Sequence, residues 1–180
     1  MAIHKIIKMG NPLLREEAIP FSLEEIASNE TKELVQSMWD TMDEYGGIGL
    51  AAPQIGISKQ LAIIRIDEDN ERYPDSDESE EFVIFNPKIT PLDETLQGFW
   101  EGCLSVPGLR GVVFRPRKVQ IDYLDESAKN KSFIAEDFLA TVFQHELDHL
   151  FGKLFIDRME DISSLAFEDE LILSEEEKDL

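Results

Sequence analysis

Basic residues, cysteine and long apolar segments are scarce in this sequence, and each scarcity excludes a class of protein. Lysine and arginine number 17 against 38 acidic residues, and the net charge of −21 argues against stable nucleic-acid binding. No apolar run approaches the ~20 residues that a membrane span needs, and residues 1–17 lack the apolar core of a signal peptide. The single cysteine, Cys103, excludes an internal disulfide and fits a reducing cytoplasm.

The overall composition is typical of a soluble globular protein. Of the 180 residues, 42% are hydrophobic and 31% are charged, enough for one domain with a sizeable core. No repeat or linker divides the chain, so residues 1–180 are predicted to form a single domain. Much of the acid lies in residues 67–81 and 168–180, which are predicted to be solvated loop and tail. Positive charge remains at residues 110–118, where a small anionic group could bind.

Local patterns predict both helices and strands. Ser22 and Glu25 have the spacing of a capping box at a helix start. A second helix is predicted from Thr31, because apolar side chains recur at helical spacing until two glycines stop it. A final helix is expected from near Ala135 to Gly152. The second helix rests on Leu34, Val35, Met38, Trp39, Met42 and Gly46–Gly47, and β-branched or apolar runs predict strands at 61–66, 82–86 and 118–124.

The final helix has two histidines on one face. At 100° per residue, His145 and His149 fall within a narrow arc together with Phe138 and Val142, and Glu146 lies at its edge. An adjacent apolar stripe is predicted to face the core, and three polar residues lie roughly opposite the histidines. The stripe consists of Leu139, Phe143, Leu147 and Leu150, and the polar residues are Asp137, Gln144 and Asp148.

Residues 144–155, QHELDHLFGKLF, contain the pattern HExxH. On a helix this pattern brings two imidazoles to one metal ion and leaves the intervening glutamate free to handle a water proton. A catalytic site usually has a third protein ligand. Phe155 stands where a metzincin has its third histidine, and the one other histidine, His4, lies in a predicted first strand.

Two kinds of residue remain as the third ligand. A downstream glutamate, Glu168 or Glu170, would give a gluzincin-type endopeptidase, although both lie in the acidic tail. Cys103, within EGCLSVPG, would give a thiolate ligand, although a lone cysteine is most often a small buried hydrophobe. The residues by themselves leave both possibilities open.

Three motifs resemble, in the same order, the signature of the peptide deformylase family. They are GIGLAAPQIG at 47–56, EGCLSVPG at 101–108 and QHELDH at 144–149, and the flanking FNP, RPRKV and LFGKLFIDRM are similar to that family too. The resemblance spans nearly the whole chain. It implies hydrolytic removal of the formyl group from the N-terminal formyl-methionine of nascent polypeptides. It also implies an α+β fold, with small, mostly antiparallel sheets packed around the HExxH helix and a helix near the N-terminus.

The resemblance implies a set of metal ligands. Cys103, His145 and His149 would hold one divalent ion, with the fourth position open to water. Ferrous iron is the expected native ion, and zinc, nickel or cobalt could also occupy a site that contains a thiolate.

The resemblance also implies roles around that ion. Glu146 would carry a proton from water to the leaving amine, while the Gln54 side chain and the backbone N–H of Leu104 would stabilise charge on the formyl oxygen. An extended peptide would pair with backbone near Ile48 and Gly102, and Gly49 would allow close backbone approach. Further substrate-binding positions, for the methionine side chain or the peptide edge, are Ile48, Phe99, Phe138, Val142 and Arg110.

Some positions depart from the family pattern. Asp137 stands where glycine is common and Thr141 where arginine is common, but neither is an implied ligand. Residues 168–180 are too acidic to form a basic ribosome-binding helix, so any contact with the ribosome is expected to be transient. The expected partner is a formyl-methionyl nascent peptide, met by a cytoplasmic monomer. An inactive metal-binding relative is the remaining alternative, disfavoured because Glu146 and Gln54 are not needed merely to hold an ion.

Overall fold

The computed structural model of the protein describes residues 3–66 and 80–171. Within these residues the chain forms three α-helices and eight β-strands, together with short 3-10 turns. No helix in this part of the chain is long and apolar enough to cross a membrane. The helices are α1 (Leu23–Ile26), α2 (Asn29–Tyr45) and α3 (Asp137–His149). The strands are β1 (Gly49–Ala51), β2 (Leu61–Ile66), β3 (Glu80–Pro91), β4 (Leu96–Cys103), β5 (Val106–Pro116), β6 (Lys118–Leu124), β7 (Asn130–Glu136) and β8 (Ala166–Phe167).

The strands form two antiparallel sheets. One has the order β1-β2-β3-β6-β7 and the other the order β4-β5-β8. β1 and β4 are therefore the outermost strands of their sheets, and each has one edge that pairs with no other strand of the described chain. Helix α3 contacts strands of both sheets. This arrangement confirms the predicted α+β fold, in which small antiparallel sheets pack around the HExxH helix.

The apolar stripe of α3 fixes the rotation of the helix about its axis. All four residues of the predicted stripe are buried, and they pack with apolar side chains of the five-stranded sheet. Burying one Leu or Phe side chain contributes roughly 1.5–3 kcal/mol relative to leaving it exposed. A rotation that exposed the stripe would therefore be costly, and the positions of His145 and His149 follow from the packing of their neighbours.

Sequence-encoded caps set the ends of α1 and α2. The predicted capping box is present, because Ser22 Oγ accepts from the N–H of Glu25 and Glu25 Oε2 accepts from the N–H of Ser22. Helix α2 begins after Ser28, whose side chain caps it, two residues before the predicted start. Its last residue is Tyr45, and the C-cap residue Gly46 has a φ of +66°. Glycine adopts this left-handed conformation without steric cost, so the helix stops where the sequence indicated.

The predicted boundaries agree with the structure where an apolar run is sharply bounded. β2 and β6 coincide with the predicted strands at 61–66 and 118–124, whereas β3 is longer than the predicted 82–86. Helix α3 begins after Ala135 because the chain up to Glu136 is still paired with β6 as part of β7. The prediction that His4 lies in a strand is wrong: the segment is not a strand, and His4 Nε2 lies 2.9 Å from Ser37 Oγ.

The two acidic segments lie largely outside the described residues. Of residues 67–81, only Glu80 and Glu81 are described, and they belong to β3 rather than to a loop. Of residues 168–180, the structure describes 168–171, which begin with a 3-10 turn at Glu168–Glu170.

Asp137 has a backbone conformation that favours glycine. Its φ is +53° at the junction of β7 and α3, and its carboxylate pairs with Arg117 at the surface. We expect Asp137→Gly to change the free energy of unfolding by less than about 1 kcal/mol, because relief of the left-handed conformation offsets the lost ion pair. Asp137→Val should instead destabilise the protein by about 1–3 kcal/mol. Urea unfolding measures both, and equal stability of the two variants would contradict this account.

Candidate metal centre

Cys103 lies at the end of β4, where a bulge interrupts the pairing with β5. Gly102 is paired with Arg110 but Cys103 is paired with Val106, so the register shifts between these two neighbouring residues. Bulges re-aim side chains. Here the Cys103 side chain is directed towards α3, and its Sγ lies 3.4 Å from Nε2 of His149.

Cys103, His145 and His149 bring three metal-ligand atoms together. These atoms lie within 4.8 Å of one another, and in the described part of the chain they form the one cluster of His, Cys, Asp and Glu side chains that could hold a metal ion. In a tetrahedral site with metal–sulfur and metal–nitrogen distances of ~2.3 and ~2.1 Å, sulfur and nitrogen would be ~3.6 Å apart. The observed sulfur–nitrogen distance of 3.4 Å is close to that value. One thiolate and two imidazoles therefore fit a divalent transition-metal ion.

The surroundings of this cluster favour a charged Cys103 side chain. Burial disfavours the thiolate, but the neighbouring His149 and His145 imidazoles outweigh burial, so the pKa of the thiol lies well below its ordinary value of 9.0. Burial also disfavours a charged His145, but contacts with Cys103 and Glu101 raise its pKa well above 6.5. The protein thus stabilises the thiolate, which is the form of cysteine that binds metals.

Glu101 orients His145, and this role of Glu101 was not predicted from the sequence. Its Oε2 lies 2.7 Å from Nδ1 of His145, which leaves Nε2 as the ring nitrogen available to a metal. The same carboxylate accepts two hydrogen bonds from Arg115, at 2.6 and 3.0 Å. Arg115 also donates to Asp148 at 2.8 Å, and Arg158 donates to Asp148 as well. Carboxylates placed in this way fix the orientation of a histidine ligand and raise its basicity.

Glu101, Arg115 and Asp148 form a buried charge network, and Arg158, whose side chain is 48% exposed, contacts Asp148 from the surface. Asp148, which the helical spacing placed roughly opposite the histidines, is only 8% exposed, and Arg115 links it to the Glu101 carboxylate that contacts His145. Residues 110–118 hold four cations, and the structure pairs each of them with an acid of the chain rather than leaving them to an external anion. The pairs are Arg110 with Glu168, Arg115 with Glu101 and Asp148, Arg117 with Asp137, and Lys118 with Glu136.

We expect Glu101→Gln to weaken metal binding by about 10–100-fold, because the amide is a poorer partner for the His145 imidazole. It should also destabilise the metal-free protein by about 3–5 kcal/mol, since Arg115 loses a buried counter-charge. Competition with a chelator and urea unfolding measure the two effects. Glu81→Gln is the control, because its exposed ion pair with Arg65 should contribute less than about 1 kcal/mol. Unchanged metal affinity would leave Glu101 with a purely structural role.

Glu146 lies beside the three potential ligands and is not part of that group. It is 6% exposed, and its Oε2 is buried with no hydrogen-bond partner among the described residues. Burial raises the pKa of this carboxyl above 4.5, although the neighbouring His145 and His149 oppose the shift. Gly49 of β1 makes room for it: a Cβ at Gly49 would lie 2.6 Å from the Glu146 carboxyl group. Gly49 was predicted only as a peptide-binding residue, and this packing role was not predicted from the sequence.

Gln54 directs its amide NH₂ towards the cluster. Its Oε1 accepts from the N–H of Ala51 at 2.8 Å, while its Nε2 donates to Ser105 Oγ and lies 3.6 Å from Cys103 Sγ. The side chain is 2% exposed, so this orientation is held by packing on all sides. Leu104 follows Cys103 in the turn between β4 and β5 and lines the pocket that contains this cluster. Donors placed here can stabilise negative charge that develops next to the metal ligands.

A pocket of about 730 Å³ exposes this cluster to solvent and is lined by residues of both β1 and β4. Its volume lies within the range of small-molecule and peptide sites. The predicted site residues on its wall are Ile48, Gly49, Gln54, Gly102, Cys103, Leu104, Arg110, Phe138, His145 and Glu146. Wall residues that were not predicted as site residues include Lys5, Ile6, Lys8, Tyr45 and Pro107, and Glu168, which was considered only as an alternative metal ligand, lies on the wall too.

Three predicted site residues are not on the pocket wall. Phe99 packs edge-on against Phe138, with ring centroids 5.5 Å apart. Val142 is 8% exposed and belongs to the hydrophobic core against which Phe138 packs. His149 is 1% exposed, so it reaches the cluster from the protein interior. Phe99 and Val142 therefore support the wall through Phe138 in the described conformation.

Glu168 and Glu170, the alternative third ligands, lie apart from the cluster. Arg110 donates from Nε and Nη2 to Oε1 of Glu168, each at 2.8 Å. Glu170 is exposed and does not line the pocket. Neither glutamate belongs to the group of potential metal ligands, so the geometry gives no support to a gluzincin-type site.

Comparison with known proteins identifies a family for this chain. The polypeptide deformylase family matches residues 3–164 of the chain. A peptide deformylase of Leptospira biflexa is 45% identical over 171 residues, which cover 95% of this chain and 96% of the relative. Peptide deformylase 2 of Pseudomonas syringae is 44% identical over 167 residues, 93% of each chain.

Solved structures give the same result. The class I type b peptide deformylase of Acinetobacter baumannii, bound to Met-Ala-Ser, has a TM-score of 0.80 and 38% identity, covering 88% of this chain and 99% of that one. The Synechococcus elongatus peptide deformylase, in complex with actinonin, has a TM-score of 0.78 and 37% identity, and the match covers 89% of this chain and 81% of that one. The sequence matches, the shared fold and the Cys–His–His cluster together show that the chain belongs to the peptide deformylase family.

Proposed function

We propose that Cys103, His145 and His149 hold the divalent ion with which this metal-dependent hydrolase removes the formyl group from the N-terminal formyl-methionine of nascent polypeptides. The observation that carries the assignment is the convergence of these three side chains beside the buried Glu146, at a pocket lined by both sheets. A divalent ion bound there supplies a Lewis acid for the formyl oxygen and lowers the pKa of water.

Glu146 is assigned the proton transfers. Its carboxylate accepts a proton from the attacking water and delivers it to the leaving α-amine, so the products are formate and a peptide with a free N-terminus. The buried Oε2, which has no partner among the described residues, supports this role because it is available to a reacting group. The raised pKa of Glu146 supports the role too, because burial lowers the cost of protonating the carboxyl between the two proton transfers.

Gln54 and Leu104 are assigned the stabilisation of the formyl oxygen. Negative charge develops on that oxygen as the carbonyl carbon becomes tetrahedral, and fixed donors nearby lower the barrier. Gln54 suits the role because its Oε1 is held by the N–H of Ala51, which keeps the NH₂ group directed into the site. The backbone N–H of Leu104 is the second assigned donor, next to the Cys103 ligand.

The substrate peptide is proposed to lie extended between β1 and β4. The N–H of Arg65 donates to the carbonyl of Ile48, and Gly49 is the next residue along β1. Because alternate residues of an antiparallel pair face away from the partner strand, Gly49 presents its N–H and C=O to the free edge. Gly102 belongs to the free edge of β4 on the same pocket. Backbone pairing with these edges is independent of side-chain identity, which suits an enzyme that accepts many nascent chains.

The methionine side chain is proposed to lie against the apolar wall that Ile48 and Phe138 provide, with Phe99 and Val142 behind it. An apolar wall tolerates a small change of shape but has no partner for a charge. We expect formyl-norleucyl tripeptides to be hydrolysed within about tenfold of formyl-methionyl ones. Formyl-aspartyl tripeptides should be at least about 100-fold poorer, because an unpaired carboxylate would be buried.

Formate release from these three tripeptides, measured as kcat/KM on protein purified without oxygen, tests both the function and the pocket. Absence of formate from the formyl-methionyl peptide would overturn the function. Comparable rates for methionine and aspartate would place the side-chain pocket elsewhere. The Met-Ala-Ser bound to the Acinetobacter baumannii relative supports a site for a peptide that begins with methionine.

Ferrous iron is proposed as the native ion, with zinc, nickel or cobalt able to replace it. The donor set supports this range, because one thiolate and two imidazoles suit several first-row metals. Elemental analysis of protein purified without oxygen would identify the ion. We also propose that residues 1–180 act as one catalytic domain and as a monomer, because a single chain supplies the strands of both sheets that line the pocket. The single cysteine supports a cytoplasmic location, and the acidic residues 168–180 support a contact with the ribosome that is only transient.

A further inference from the structure

We propose that Glu168 sets the enzyme's preference for charge in the peptide segment after the methionine, by holding Arg110 in an ion pair on the pocket wall. This inference rests on the proposed function, since it concerns the substrate of the same site. Both residues line the pocket that contains the metal-ligand cluster. Arg110 is the pocket cation that this glutamate neutralises.

The position of Arg110 places its charge beside the proposed peptide path. Arg110 is paired with Gly102 across β4 and β5. A Cβ at Gly102 would lie 3.5 Å from Cγ and 3.7 Å from Nε of Arg110, so the arginine side chain crosses the space that a side chain at Gly102 would occupy. A peptide that pairs with the edge of β4 therefore passes close to the Arg110 guanidinium.

The C-terminal strand β8 brings Glu168 to this guanidinium. β8 pairs with β5 through Leu109 with Phe167 and Arg110 with Ala166, and Glu168 follows directly in the next turn. One oxygen, Oε1, accepts from both Nε and Nη2 of Arg110. The Glu168 side chain is 54% exposed, so the pair can open, but the strand keeps the carboxylate close to its partner.

This pair makes the Arg110 side of the pocket selective for charge. A substrate carboxylate that approaches Arg110 has to displace Glu168, whereas a substrate cation meets the Glu168 carboxylate. Lys5 and Lys8 also line the pocket, and neither has an ion-pair partner among the described residues. Because Glu168 pairs with Arg110 and with neither lysine, a change in charge preference caused by substituting Glu168 is assigned to the Arg110 side of the pocket.

The test compares kcat/KM for formyl-methionyl tripeptides that have Lys, Gln or Glu at the second or the third residue. In the wild-type protein we expect Lys to be preferred over Glu by about fivefold at the position that reaches Arg110. Glu168→Gln should shift the Lys/Glu ratio at that position by at least about fivefold towards Glu. About 0.5 M salt should bring the wild-type ratio towards one, because exposed charges are screened.

Glu170→Gln is the matched control, because it removes the same charge from the same turn at a residue that does not line the pocket. It should leave the Lys/Glu ratio as in wild type, and Arg110→Gln should abolish the shift that Glu168→Gln causes. An unchanged ratio in Glu168→Gln, or an equal shift in Glu170→Gln, would overturn the proposal. Titration with unformylated Lys and Glu tripeptides separates it from the proposed function, because binding preference is measurable even if no formate is released.

Discussion

Replacing Glu146 with glutamine should lower kcat/KM for formyl-methionyl peptides by roughly 10²–10⁴-fold while metal content stays at the wild-type level. The amide has nearly the same shape as the carboxylate, so the packing against Gly49 is preserved. It cannot accept a proton from water, and it cannot return one to the leaving amine. The proposed ligands Cys103, His145 and His149 are unchanged, which is why activity should fall while metal content stays the same.

The stability of this variant gives a second measurement. Burial raises the pKa of Glu146, so a neutral amide avoids part of the cost of burying a carboxylate. The melting temperature of Glu146→Gln should therefore equal or exceed that of the wild type. Glu94→Gln, at an exposed position between β3 and β4, is the control and should change neither activity nor metal content. Activity of Glu146→Gln within a few-fold of wild type, with metal content unchanged, would remove the assigned proton-transfer role.

The parts of the fold that could be predicted are those whose pattern is local. The strand at 61–66 is a buried apolar run, and that at 118–124 alternates, so both were assigned with correct ends. β4 and β5 were not predicted. β4 reads LQGFWEGC, where two glycines and a glutamate interrupt any alternation, and its pairing with β5 depends on a bulge at Cys103. Two of the residues that break the pattern in β4, Glu101 and Gly102, also belong to the candidate site.

The candidate site divides in the same way. Helical spacing placed both histidines on one face of α3, and motif order led to Cys103 and Gln54. The role of Glu101 could not be predicted, because its partners Arg115 and His145 are 14 and 44 residues away in the sequence and meet it only in the folded chain. A sequence does not tell whether a carboxylate is solvated or, as here, 5% exposed and shared between an arginine and a histidine. The ion pair of Arg110 with Glu168 likewise depends on the pairing of β8 with β5.

Replacing Cys103 with serine should empty the metal site or weaken it at least about tenfold, and turnover should be nearly abolished. The surroundings of Cys103 lower the pKa of its thiol, so the thiolate is available for metal binding. A serine hydroxyl is not deprotonated under the same conditions and is a harder ligand. Bound metal stabilises the folded state by mass action, about 2.7 kcal/mol at 100 times the dissociation constant. Added metal should therefore raise the melting temperature of the wild type by clearly more than that of Cys103→Ser.

Two further variants decide how the Cys103→Ser result is interpreted. Ser105→Ala removes a hydroxyl two residues along the same turn, one that contacts Gln54 and is not a proposed ligand, so it should retain its metal. Glu168→Gln should retain its metal as well, because that carboxylate is paired with Arg110. If elemental analysis found Cys103→Ser fully occupied and Glu168→Gln empty, the third ligand would be the glutamate of a gluzincin-type site. Loss of metal from Cys103→Ser alone would instead assign the thiolate as the ligand that completes the HExxH pair.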